Sequence, residues 1–141
     1  MEKSEVFKVI FSLVVNFVNL IPKDKEFGEM TTNEFYLFLF INFHNPVTMK
    51  ECSQKLRLSK STITVLIDKL ENKGIILRER SNTDRRKIYL VPTKKGKRLF
   101  SRISGYFSSI IDTVTAKIPK DKIEIINKGF EYFIKSLEVE K

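Results

Sequence analysis

The stretch LSKSTITVLIDKLENKG, Leu58 to Gly74, decides how the rest of the chain is read. Ser59 offers a hydroxyl to the unpaired amides at a helix start. Ile63, Leu66, Ile67 and Leu70 then recur at i, i+3, i+4 and i+7, the spacing of one buried helical stripe. Gly74 supplies the left-handed residue that ends such a helix. Upstream, TMKE places Thr48 three residues before Glu51, a capping-box spacing that opens a short helix through Leu56. Only Arg57, Leu58 and Ser59 remain for the turn. Two helices joined so tightly make a helix-turn-helix.

Outward from this pair, IILRER and KIYLV read as strands separated by SNTDRR, which is rich in turn formers. They predict a hairpin with a long charged tip. Thr93 caps a long helix carrying Leu99, Ile103, Tyr106, Phe107, Ile110 and Val114 on one side. Pro119 ends that helix or starts the last one. Towards the N-terminus, Thr31 and Glu34 form another capping box, opening a buried helix that stops before Asn45-Pro46. PKDKEFGEM, from Pro22, reads as a connecting loop. The first segment, VFKVIFSLVVNFVNLIP, is too short and too polar for a membrane span, which needs about 20 mainly apolar residues, and no small-residue cleavage pattern follows it. Lys8, Ser12 and Asn19 share one face, so it reads as an amphipathic helix. Its apolar face is broad enough to predict packing on more than its own chain.

The fold class expected is mainly α: a winged helix-turn-helix with a two-stranded β-wing, flanked by N- and C-terminal helices. At 141 residues the chain is read as a single domain. Within it, residues 46–100 form the winged helix-turn-helix lobe, and 1–21 with 101–141 the flanking helices.

Charge points to the partner. The chain carries 26 Lys and Arg against 17 Asp and Glu, a net of +9. Between Thr48 and Arg102 the count is 16 basic and 5 acidic, so this middle stretch holds the whole positive excess. Such concentration marks a polyanion-binding surface. The buried stripe leaves Ser61, Thr64, Val65, Asp68 and Asn72 facing outward, with Lys60 and Lys69 near the edges; small residues at the helix start permit close approach to a groove.

From Thr48 to Leu99 the chain resembles the DNA-binding core of the MarR (multiple antibiotic resistance regulator) family. LSKSTIT with IDKLENKG, RERSNTDRRKIYL with its Asp-x-Arg wing pattern, and TKKG carry the likeness. The flanking helices match in number and order. The resemblance implies a homodimer built by the terminal helices, with recognition helices in successive major grooves and wing arginines in minor grooves. By position, it implies a DNA-facing set of Ser59, Lys60, Ser61, Thr62, Thr64, Val65 and Lys69. The wing set is Arg80, Asp84, Arg85, Arg86 and Lys87, with Arg86 entering the minor groove and Asp84 holding the wing through an ion pair. Two residues depart from the family pattern. Val65 stands where many members have an arginine able to read guanine; valine can only touch a thymine methyl. Arg57 replaces a glycine often found in the turn, which points to an added phosphate contact or to backbone strain. The partner expected is therefore double-stranded DNA with an A/T-rich, two-fold symmetric site, read partly through groove shape. The resemblance also implies a small aromatic or lipophilic acid as ligand, near Phe35, Phe38 or His44.

Other readings are weaker. A winged-helix protein-interaction module would not need the central positive charge. An RNA-binding role lacks an exposed aromatic platform. A thiol-based redox regulator would use Cys52, but a cysteine where the pattern usually has a core leucine reads as buried and inert. No catalytic constellation is present, no cofactor is implied, and a single histidine makes a zinc site unexpected. The lone cysteine, unable to form an internal disulfide, fits a cytoplasmic location.

Overall fold

In the computed structural model, which describes Met1–Glu138, the elements run α1 (Lys3–Leu20), α2 (Lys25–Gly28), α3 (Thr32–Phe43), β1 (Val47–Thr48), α4 (Met49–Leu56), α5 (Lys60–Asn72), β2 (Ile76–Arg80), β3 (Ile88–Pro92), α6 (Lys94–Thr115) and α7 (Lys120–Leu137). Residues 139–141, the end of the expected C-terminal stretch, lie outside the described residues. The chain divides into two compact units: Met1–Ile21 with the chain from Tyr106 onward, and Pro22–Gly105.

Local chemistry sets the boundaries of the second unit. Thr31 accepts from the Glu34 amide while Glu34 accepts from the Thr31 amide, closing the expected box. Thr48 accepts from the Glu51 amide and Ser59 from the Thr62 amide. At the far end of α5, Gly74 has φ of 74°. Its amide bonds to the Glu71 carbonyl and the Ile75 amide to that of Leu70, a Schellman closure that satisfies the last carbonyls. Arg57, in the turn, sits at φ 53° and ψ 42°. Left-handed backbone at a non-glycine residue costs about 1–2 kcal/mol, so the expected strain is real. Ser53 compensates: its hydroxyl donates to the Leu58 carbonyl at 2.6 Å and its carbonyl accepts from the Leu58 amide.

Two details differ from the sequence reading. The stretch expected to be a loop after Pro22 contains a one-turn helix, α2, because Asp24 caps the Phe27 amide and the Phe27 ring packs on Phe35 at 4.7 Å. The two-stranded wing, β2 with β3, is as expected, but a short extra strand, β1, joins it to make a three-stranded antiparallel sheet in the order β1-β3-β2. Val47 pairs with Leu90 and Thr48 with Tyr89. Two residues are too few to show a period, so β1 has no signature of its own.

The core of this unit is the α5 stripe Ile63, Leu66, Ile67 and Leu70 packed among Leu37, Phe38 and Ile41 of α3, with Ile76 and Leu90 from the hairpin, all 6% exposed or less. Burial at this level supplies roughly 25 cal/mol per Å² of apolar surface. Glu34 is the buried charge within it, with Lys73 Nζ at 2.9 Å and Lys69 Nζ at 4.0 Å. Burial opposes its ionised form, but the Lys73 bond, the Thr31 amide and the two lysine charges outweigh this and hold its pKa below the ordinary carboxylate value.

In the first unit, Phe17 of α1 stacks on Phe107 of α6 with ring centroids 5.5 Å apart. Most of the apolar surface of α1 and α7 is nevertheless open. Phe7 is 71% exposed, Phe11 62%, Ile125 62% and Leu137 63%. Among the described residues no helix is long and apolar enough to cross a membrane.

Candidate nucleic-acid interface

The start of α5 is built from hydroxyls that organise one another. Ser59 Oγ caps the Thr62 amide, donates to Thr62 Oγ1 at 2.8 Å and lies 3.1 Å from Ser61 Oγ. Thr64 Oγ1 donates to the Lys60 carbonyl at 2.9 Å. With that proton engaged, Thr64 offers an outer surface an acceptor and a methyl group. Val65 beside it is 53% exposed, although it is one of the most apolar residues on the helix. Lys60 and Ser61 are exposed and Thr62 is half-buried.

The wing tip is ordered by its own polar groups. Ser81 donates its amide to the Lys87 carbonyl, and the Lys87 amide returns a bond to the Asp84 carbonyl. Ser81 Oγ accepts from the amides of Thr83 and Asp84. Asp84 Oδ1 accepts from the Arg86 amide at 3.0 Å. Asp84 thus stabilises the wing through the Arg86 main chain, as an Asx turn, and not through the ion pair expected from the sequence. A carboxylate two residues before an amide reaches it with little loss of freedom, whereas a guanidinium must be drawn back from solvent. The guanidinium of Arg86 is left facing outward, as are the side chains of Arg80, Arg85 and Lys87.

Helix start and wing base meet at one cleft of about 550 Å³. Lys50, Lys60, Arg86 and Lys87 line it above Ile63 and Ile88. Lys50, on the first turn of α4, is absent from the sequence-derived set. Its local signal is only an exposed lysine in a capped turn, and its proximity to the wing depends on the β1–β3 pairing.

Not every expected residue joins this surface. Lys69 is directed towards Glu34 on α3, 4.0 Å away. Arg78, one of the cations of the central positive stretch, already has partners: Asp68 Oδ1 and Glu71 Oε1, each at 2.7 Å. The Asp68 bond and the two carboxylate charges raise its pKa against the opposing effect of burial. Of the residues linked to a ligand, Phe38 is wholly inside the core, Phe35 packs on Phe27, and His44 is exposed and rests on Phe40 at 4.4 Å. The described cleft is lined by none of the three.

Cys52 is fully buried, and burial first, then the charge of Glu51, push its pKa up to about 12. At pH 7 roughly one thiol in 10⁵ would be ionised, and the thiolate is the reactive form. Iodoacetamide should therefore leave the native protein unmodified over hours and label it within minutes in denaturant; mass spectrometry reads both. Rapid native labelling would restore the redox alternative. Among the described residues no cluster of His, Cys, Asp and Glu could hold a metal ion.

Comparison with known proteins gives this geometry a context. The family model described as MarR family matches residues 30–88. A MarR-like transcriptional regulator from Thermotoga maritima is 35% identical, with 99% of each chain covered and a TM-score of 0.84. FabT of Streptococcus pneumoniae, solved in complex with DNA, is 28% identical over 96% of this chain and 94% of its own, with a TM-score of 0.77. The HTH-type transcriptional regulator YcgE of Bacillus subtilis is 28% identical over 86 residues, which is 61% of this chain but only 56% of YcgE. In MhqR of the same organism the match is 26% over 96 residues, 68% of this chain and 66% of MhqR.

Proposed function

The chain belongs to the MarR family of winged-helix transcriptional regulators, and from that premise we propose that it is a homodimeric repressor that binds double-stranded DNA at an A/T-rich, two-fold symmetric site. The observation that carries this reading is the cleft where Lys50, Lys60, Arg86 and Lys87 meet beside the open N-terminal turn of α5. Four cations and a helix N-terminus converge on one place, which suits the phosphate backbone. Beside them, Val65 and the Thr64 methyl present apolar surface where thymine methyls would lie. The likeness to FabT, a relative solved with DNA, supports the same partner.

Dimerisation is supported by α1 and α7. Their exposed phenylalanines, isoleucines and leucines make an apolar surface that soluble monomers rarely leave open, and a second copy would cover it. No observation at Phe35, Phe38 or His44 extends the reading to a releasing ligand.

The test is selection of duplexes from a random pool by the full chain. Enrichment of an A/T-rich palindrome is the expected outcome, with binding that weakens by roughly 0.9 log unit per log unit of salt for each phosphate neutralised. No enrichment would favour the protein-interaction alternative. A G/C-rich consensus would remove the role given to Val65. A reporter driven from the selected site should rise when the protein is absent.

A further inference from the structure

We propose that Arg78 is a positioning residue that fixes the wing against the recognition helix α5, and that Asp68 and Glu71, despite their negative charge, promote DNA binding by holding it. The proposal rests on the DNA-binding reading above. Arg78 lies on β2, the outer strand of the sheet, and faces inward opposite Leu90. On the other side, β3 is braced by β1 at Leu90 and Tyr89. Among the described residues no strand pairs with the outer edge of β2, and the Arg78 guanidinium ties this strand to α5. Its Nη2 donates to Asp68 and its Nη1 to Glu71. The two carboxylates stand three residues apart on α5, one turn of helix, so the planar fork grips a whole turn rather than one side chain. Arg78 and Glu71 are about 30% exposed, at 29% and 32%, which lessens screening by solvent.

Charge alone predicts the opposite behaviour. Carboxylates on a helix that docks on DNA repel phosphates, so removing Asp68 and Glu71 should tighten binding. If they position the wing through Arg78, removing them should weaken it. The sign of one measurement therefore separates the two.

With the selected duplex, Asp68→Asn/Glu71→Gln is expected to bind about tenfold more weakly than wild type, roughly threefold per wing, the scale of a partly exposed ion pair. Arg78→Lys keeps the charge but cannot span both carboxylates, and should lose about as much. Combining all three substitutions should add little further loss. The salt slope should stay at the wild-type value, because no phosphate contact is removed. Tighter binding by Asp68→Asn/Glu71→Gln, wild-type binding by Arg78→Lys, or a slope reduced by about one per subunit would overturn the proposal. Without DNA, exchange of the Ser81 amide, which bonds to the Lys87 carbonyl across the hairpin, should quicken about tenfold in both variants while the melting temperature moves little; unchanged exchange would overturn it too. Should wild type select no duplex, the DNA reading fails, and the exchange measurement still decides whether the fork braces the wing.

Discussion

Replacing Arg86 with alanine should weaken binding to the selected operator by about 100-fold and leave the protein folded. The figure takes about 1.4 kcal/mol per wing, near the lower end of the roughly 1–3 kcal/mol lost with an arginine that reads a base edge, and counts two wings in a dimer. Folding should be spared for a specific reason. The described bond that Arg86 makes within the wing is its main-chain amide to Asp84, and alanine retains it. The guanidinium is exposed and removes no apolar core when truncated. The salt slope should fall by roughly 0.9 for each lost charge. Fluorescence anisotropy on the operator at several salt concentrations reads both quantities. An unchanged affinity with an unchanged slope would make the wing a scaffold.

Arg85→Ala provides the contrast. Both side chains are exposed neighbours in one tip, but only Arg86 lines the cleft with Lys60. A smaller loss at Arg85 is expected, and equal losses would mean that the wing acts as a diffuse cationic patch.

What was legible in the sequence had local causes. Ser59, Gly74 and the stripe between them define α5 because capping and burial are both settled within a few residues. The capping box at Thr31 likewise fixes the start of α3, although its aromatic run also suits a strand. Features that depend on distant residues were not legible. β1 exists because Val47 and Thr48 meet Leu90 and Tyr89, more than 40 positions later in the chain. Arg78 shows the opposite limit: the central positive charge reads as one polyanion-binding surface, while two carboxylates seven and ten residues away neutralise one of its members. Lys50 was overlooked for the same reason, since the β1–β3 pairing is what brings α4 beside the wing.

Gly96 shows how far such distant contacts can change an expectation. It is the third residue of α6, and by helix propensity alone alanine there should stabilise the protein by about 0.5–1 kcal/mol. The structure reverses the sign. A Cβ on Gly96 would collide with the carbonyl oxygen of Ile75, and crowd the Ile75 carbonyl carbon and Cα as well. Main-chain atoms cannot rotate away as a side chain can. Relief requires α6 to move from the segment entering β2, where the Thr93 amide bonds to the Ile75 carbonyl at 3.1 Å. The Thr93 hydroxyl, which donates to the Gly74 carbonyl at 2.6 Å and accepts from the Gly96 amide, would be disturbed too. Overpacking of this kind costs typically 1–3 kcal/mol, and the rigid partner places Gly96→Ala near the top, at about 3 kcal/mol. Against a total stability of roughly 5–15 kcal/mol the melting temperature should fall by about 10 °C. Gly105→Ala in the same helix is the control: beyond its own stretch of helix backbone nothing lies within 4 Å of its new Cβ, so the ordinary helical gain of about 0.5–1 kcal/mol should appear. Calorimetry on the two variants should give shifts of opposite sign. Equal shifts would mean that the close approach of α6 to Ile75 is not what requires glycine at position 96.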